Sequence, residues 1–252
     1  MSAPTAAVLI IGNEILSGRT QDTNLRFLAQ GLGGRGIRLV EARVIPDIAE
    51  IIIGTVNELR ARVDVLITTG GIGPTHDDIT SECVAAAFGV PWEPHPQAWA
   101  RMEASYKPGE FNPARQRMAT MPRGASLIDN AVSVAPGFSI GNVHVLAGVP
   151  RVMQAMFATL VERLPQGTPI AMRAVHALGV AEGRIAAGLS AIQARYPDAD
   201  LGSYPFYRPG GNGVAIVAKG TDPARLEAAI AEVAALFVSL GYAPLAGEPP
   251  AG

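Results

Sequence analysis

Along the first 165 residues the apolar positions switch repeatedly between two patterns. Ala6 to Ile11 is a short unbroken apolar run, as expected of a strand covered on both faces. Asn24 to Leu32 suits a helix, capped by Asp22 or Thr23 and closing in glycines. Ile37 to Ile45 reads as a second strand. Beyond it Ile48, Ile51, Ile52, Val56 and Leu59 recur at helical spacing, with Asp47 and Glu50 placed like a capping box. Val63 to Thr68 is a third apolar run, and Ser81 to Phe88 reads as a helix. This alternation predicts an α/β fold with a mostly parallel sheet between helices.

The pattern then changes. Pro91 to Pro122 mixes proline, aromatic and charged residues without a period, and reads as an excursion of short helices that could serve as a lid or an oligomer contact. Strand signals return from Leu127 to Gly148, with a Gly141-Asn142 turn, and Gly148-Val149-Pro150 opens a helix to Arg163. Leu164 to Thr168 is the linker candidate. After it come a strand (170–178), a helix (182–195), two strands (200–206 and 214–218) and a last helix carrying Leu226, Ile230, Val233, Phe237 and Leu240. That βαββα order predicts a small α+β domain. The expected division is residues 1–164, residues 168–242 and a loose tail at 243–252.

Composition narrows the function. The chain has 252 residues, a formal net charge of −2 and no basic run, which gives a nucleic-acid partner no support. Cys83 is the single cysteine, so an internal disulfide and a multi-cysteine metal site are excluded, and a packing role is expected. His95, His144 and His176 lack metal-ligand spacing. No structural zinc, iron–sulfur cluster or haem is expected. No basic leader or membrane-length apolar run is visible, so a cytoplasmic protein without a membrane partner is expected.

The chemistry concentrates in residues 68 to 80, Thr-Thr-Gly-Gly-Ile-Gly-Pro-Thr-His-Asp-Asp-Ile-Thr, between a strand and a helix. Gly70, Gly71 and Gly73 allow positive φ and close backbone approach, so their N–H groups can face an anion. Asp77 and Asp78 follow at once. Anion-binding backbone beside paired acids suits a phosphorylated ligand held with a divalent cation. A capped turn with no chemistry would use the same residue types. Gly31-Leu32-Gly33-Gly34-Arg35-Gly36 has dinucleotide-fingerprint spacing but ends a helix and precedes a strand, the reverse of what that motif requires. Neither a P-loop nor a nucleophilic serine elbow is present.

The loop at 68–80 resembles the signature of the molybdopterin-binding domain family (MoaB/Mog-like). Its members include molybdenum-cofactor biosynthesis proteins, competence/damage-inducible protein A and the N-terminal domain of eukaryotic FAD synthases. Gly12-Asn13-Glu14-Ile15-Leu16, followed by Asp22-Thr23-Asn24, resembles a second family element. Arg117, Asn130, Ala135 to Phe138 and Gly148-Val149-Pro150 follow the order of the competence-protein subgroup. Three positions depart from it: Ala147 stands where proline is usual, Arg117 where lysine is common, and Ser133-Val134 where Gly-Thr is typical. The resemblance implies a three-layer α/β domain with an appended α+β module, and homo-oligomers are usual among similar proteins.

Carried over residue by residue, the resemblance implies catalytic roles for Asp47 and Asp78. Glu14 is expected as a metal or substrate contact, and Asp77, additional to the matched acids, should favour a cation by repulsion with Asp78, so Glu14, Asp77 and Asp78 are the expected ligands of a divalent metal (Mg²⁺, with Mn²⁺ or Co²⁺ as alternatives). A phosphorylated pterin or nucleotide would meet Gly12, Asn13, Asp22 and Asn24 from the first element, and Thr69, Gly70, Gly71, Gly73, Pro74, Thr75 and His76 from the signature loop. Arg117, Gly148 and Pro150 complete that set. Three activities stay open: metal-dependent pyrophosphohydrolysis of FAD, ADP-ribose or a related dinucleotide; molybdopterin adenylyl transfer or another molybdenum-cofactor step; and ligand binding without chemistry. These 252 residues contain neither the amidohydrolase domain of many competence proteins nor the nucleotidyltransferase domain of FAD synthase, so neither of those activities is expected of them.

Overall fold

The computed structural model describes residues 3–208 and 210–249 and divides into two compact units, Met1–Thr168 and Pro169–Gly252. In the first unit β1 (Thr5–Ile11) leads through the single-turn α1 (Asn13–Leu16) to α2 (Asn24–Gly34), β2 (Arg38–Ile45), α3 (Ala49–Arg60), β3 (Val65–Thr69) and α4 (Thr80–Phe88). The excursion follows as β4 (Trp92–Pro94), α5 (Pro96–Ser105), α6 (Pro113–Arg117) and β5 (Thr120–Pro122). The chain returns through β6 (Ser126–Ile128), β7 (Gly137–Ile140), β8 (Val143–Leu146) and α7 (Pro150–Leu160).

Six of these strands form one sheet in the order β2-β1-β3-β8-β7-β6. The pairs β1–β2, β1–β3 and β3–β8 are parallel, whereas β7 pairs antiparallel with both β8 and β6. Strand alternation sorts β1 between two cores. Ala7, Leu9 and Ile11 pack with Ile52, Val56 and Leu59 of α3 and Val84 of α4. Ala6, Val8 and Ile10 pack with Leu28 and Leu32 of α2 and Met153, Phe157 and Leu160 of α7. Helices therefore cover both faces of a mostly parallel sheet, giving the three layers that the periodicity and the resemblance led us to expect.

The excursion is less helical than its sequence suggested. Trp92-Glu93-Pro94 pairs with Thr120-Met121-Pro122 as a separate two-stranded ladder, too short to show a period. Ala98 and Met102 of α5 seal the same core as α3 and α4.

The second unit contains β9 (Ala171–Leu178), α8 (Glu182–Arg195), β10 (Asp200–Arg208), β11 (Gly211–Gly220), α9 (Pro223–Ser239) and β12 (Pro244–Ala246). Its sheet runs β10-β11-β9-β12, all antiparallel, with α8 and α9 packed on Val175, Val214, Ile216 and Ala218. The loose tail expected from 243 onward needs correction over its first part. Pro244–Ala246 pairs with Ala177, His176 and Val175, and the carbonyl of Gly247 lies 2.8 Å from His176 Nδ1. Two prolines and a glycine hid this strand, because its order comes from the open edge of β9 rather than from its own pattern. Residues 250–252 of that tail lie outside the described residues. Among the described residues no helix is long and apolar enough to cross a membrane.

One sheet residue ties the fold to pH. His144 on β8 sits with Nδ1 2.8 Å from the Ser139 hydroxyl on β7. Burial, aided by the charge of Arg163, pushes its pKa down from 6.5 to about 4. The unfolded chain takes up this proton first, so stability is present above pH 6.5 and is lost as pH falls toward 4. The loss reaches at most about 3 kcal/mol. Replacing His144→Gln should flatten stability between those pH values in urea melts, while an unchanged acid limb would show that another group controls it.

Candidate functional site

The carboxyl ends of parallel strands are where an open α/β sheet offers a ligand site. Here β1, β2, β3 and β8 run out along one edge, and their following loops enclose a cleft of about 550 Å³. The loop after β1 brings Gly12 and Glu14, that after β2 brings Asp47, and that after β3 brings Gly70 to Thr75 with Asp77 and Asp78. The loop after β8 contributes Ala147, Gly148, Val149 and Pro150.

Close packing of backbone makes this convergence possible. Gly70 has φ 99°, its N–H donates to the Leu146 carbonyl, and a Cβ there would lie 2.1 Å from the carbonyl oxygen of Ile11. Gly71 has φ 68°, and a Cβ on it would meet the Thr80 hydroxyl at 2.1 Å. Both contacts are far inside van der Waals separation, so only glycine fits. The N–H groups of Gly71, Ile72 and Gly73 have no acceptor among the described residues, which leaves them free for a ligand.

Four carboxylates share the cleft. Asp78 accepts hydrogen bonds from the Thr75 N–H at 2.8 Å and the Thr75 hydroxyl at 2.5 Å, which curls the loop into a tight turn. Asp47 is not the helix cap that its position suggested. The α3 cap position is Ile48 and has no side-chain bond, while Asp47 Oδ2 accepts the Asn13 N–H at 2.9 Å. That bond ties the turn after β2 to the turn after β1. Burial raises the Asp47 pKa above its ordinary 3.8, the Asn13 N–H opposes the rise, and the charges of Glu14, Asp77 and Asp78 add to it.

The remaining residues expected at the site divide by position. Asn24 is 4% exposed and donates to the Gly148 carbonyl at 2.8 Å, so it braces the cleft from behind, with its own Oδ1 unpartnered. Asp22 accepts the Leu25 N–H at 2.9 Å and thus caps α2 locally. Thr69 is buried beneath the loop with an unpartnered hydroxyl. The His76 side chain is 98% exposed and points away from any packed partner except Asp77, 4.0 Å off. Arg117, expected to meet substrate, is absent from the cleft wall and lies behind the loop, its Nη2 3.2 Å from the Asp78 carbonyl. Asn13, Asp22, Asn24, Thr69, His76 and Arg117 thus stand beside or behind the cleft rather than in its wall.

Sequence reasoning missed the apolar wall. Ile72, Met118, Val149, Val152 and Met156 line the same cleft as its acids, together with Ala135 and Pro136. The loop from Asn130 to Ala135 is held by the Asn130 Oδ1, which accepts the N–H groups of Val132 and Ser133. Nothing in the local pattern sets these side chains apart from core residues; only their convergence does.

The family model described as a probable molybdopterin binding domain matches residues 7–166, and one described as the FAD synthase middle domain matches residues 169–241. A protein of Pyrobaculum calidifontis is 35% identical over 212 residues, which cover 80% of this chain and 81% of that one. A CinA-like protein of Citrifermentans bemidjiense is 40% identical over 168 residues, 64% of this chain; the match spans only 40% of that longer relative. The crystal structure of the protein CinA, of unknown function, from Thermoplasma acidophilum superposes with a TM-score of 0.61 at 32% identity. It covers 64% of this chain and 98% of its own.

Two substitutions test this geometry. Gly70→Ala should cost about 2 kcal/mol or more in stability, because neither its φ nor its packing admits a Cβ; a melt within experimental scatter of the native protein would contradict the close crossing. Asp47→Asn should raise the melting midpoint at neutral pH. A carboxyl with a raised folded pKa penalises the folded state once pH has climbed from 3.8 through that raised value, and an amide still accepts the Asn13 N–H. The gain should vanish below pH 3.8.

Proposed function

The chain belongs to the molybdopterin-binding domain family, and from that premise we propose that its cleft hydrolyses the phosphoanhydride of a dinucleotide such as FAD or ADP-ribose with a divalent cation. The supporting observation is the cleft wall itself. Glu14, Asp47, Asp77 and Asp78 line it beside the glycine loop, and among the described residues no lysine or arginine lines it. The charged side chains that an anionic phosphate would meet at such a wall are all negative, and an accompanying cation would offset their repulsion. The apolar wall supplies a second half of the same cleft for a flat ring. The FAD synthase middle-domain match at 169–241 is consistent with a flavin or adenine nucleotide.

The donor set suits magnesium. It is all oxygen, and among the described residues no three histidine, cysteine or acidic side chains are gathered as a ready-made metal cage. Mg²⁺ commonly takes one or two carboxylates, keeps several waters, and completes its shell with phosphate oxygens. One or two of Glu14, Asp77 and Asp78 would hold it at a time, with Mn²⁺ or Co²⁺ as substitutes. When bound, the ion would neutralise charge on the non-bridging phosphate oxygens.

The chain's own groups supply the rest. Asp47, with its raised pKa, takes the proton of a water that attacks one phosphorus. The bond from that phosphorus to the bridging oxygen breaks, and the other phosphate leaves with the electron pair, giving two phosphomonoesters. The free N–H groups of Gly71, Ile72 and Gly73 stabilise the charge gathering on the attacked phosphate. The Thr75 turn fixes the direction of the Asp78 carboxylate.

The test is a product assay on the purified chain with FAD and with ADP-ribose, with and without Mg²⁺, Mn²⁺ or Co²⁺. Metal-dependent release of AMP is expected, reduced about a hundredfold or more in Asp78→Asn and in Asp47→Asn. Full turnover in Asp78→Asn would sink the assignment of the site. No release with either substrate would sink the hydrolase reading, and adenylation of molybdopterin would be assayed in its place. Tight ligand binding that chelators leave untouched, without turnover, would instead mark a binding module.

A further inference from the structure

Arg117 closes the short helix α6 and reaches the back of the signature loop from the excursion. Its Nη2 donates to the Asp78 carbonyl at 3.2 Å and lies 3.8 Å from Glu82 Oε2. The guanidinium carbon stands 5.0 Å from the centre of the Trp92 ring. Trp92 is itself pinned, since its Nε1–H donates to the Thr120 carbonyl at 3.0 Å and to the Ser81 hydroxyl at 3.1 Å. Ser81 in turn donates to the same carbonyl at 2.9 Å. The Arg117 Nε is fully buried and has no acceptor, so the side chain is held by its tip and its flat face alone.

These contacts bracket Asp78 on both sides. On the cleft side, the Thr75 N–H and hydroxyl hold the carboxylate. On the far side, Arg117 holds the carbonyl of the same residue. A carboxylate is aimed only as well as the backbone beneath it, and a placement error of about 1 Å can cost on the order of a hundredfold in rate. We propose that Arg117, on its Trp92 platform, is a positioning residue that fixes the Asp77-Asp78 turn through the Asp78 carbonyl and never touches the substrate. The planar guanidinium is suited to this because it stacks on the indole and donates at its edge; a lysine can supply only the donor and the charge.

This inference rests on the phosphoanhydride-hydrolase reading for its kinetic arm alone. The experiment compares the native chain with Arg117→Met and Arg117→Lys. It records steady-state hydrolysis of ADP-ribose, backbone hydrogen exchange of residues 75–80 in the free protein, and thermal melts. Arg117→Met should lower kcat about tenfold or more with KM within about twofold, because the cleft wall is unchanged. It should also quicken exchange in the loop. Arg117→Lys should recover part of both effects, and it carries the test if the methionine variant fails to fold.

A raised KM at unchanged kcat would overturn the proposal by making Arg117 a substrate contact. Unchanged exchange in Arg117→Met, or no recovery in Arg117→Lys, would overturn it equally. Should the native chain hydrolyse no phosphoanhydride, the functional reading fails, and the exchange comparison then decides the positioning role by itself.

Discussion

The architecture of the site depends on one crossing, where β3 leaves the sheet between the ends of β1 and β8. At Gly70 the backbone passes so near Ile11 that a single added carbon would overlap its carbonyl, and at Gly148 a Cβ would stand 3.2 Å from Gly70 Cα. Three strand ends are thereby brought closer than side chains allow. Each loop begins from this point, so the starts of the loops that carry Glu14, Asp78 and the Gly148-Val149-Pro150 turn are set by backbone packing, and Thr75 and Arg117 then hold Asp78 itself. The Asp47–Asn13 bond adds the fourth strand end to the group.

The cleft is also where the fold departs from local consistency. Elsewhere in the first unit several acids are matched to arginines: Glu41 and Glu58 to Arg43, Asp129 to Arg101, Glu93 to Arg123. The cleft wall instead gathers four acids, and burial raises the Asp47 pKa among them. Such a concentration of like charge opposes folding and favours whatever cation reduces it.

The excursion from Trp92 to Pro122 has a place in this arrangement that its irregular sequence concealed. Its α5 closes the core over α3 and α4, and its Trp92, Arg117 and Thr120 buttress the start of α4 from behind. It is a support rather than a cover: only Met118 of this segment lines the cleft.

The sequence by itself determined the elements and the backbone character of the loop. Continuous apolar runs marked β1 and β3, helical spacing marked α3 and α9, and Gly70 and Gly71 marked a loop that needs glycine's freedom, because periodicity and backbone permissiveness are local properties. The three-layer arrangement followed from strand–helix alternation together with the family resemblance. Tertiary structure alone decided which side of the loop each residue serves. Arg117 and Asn24 read like ligand contacts in the chain, yet they reach backbone carbonyls behind the cleft. Met156 and Val152 read like core, yet they form the cleft's apolar wall. Pro244–Ala246 reads like a loose end, yet β9 orders it through partners 67 or more residues away. These choices depend on the separation of atoms distant in sequence, which no local pattern encodes.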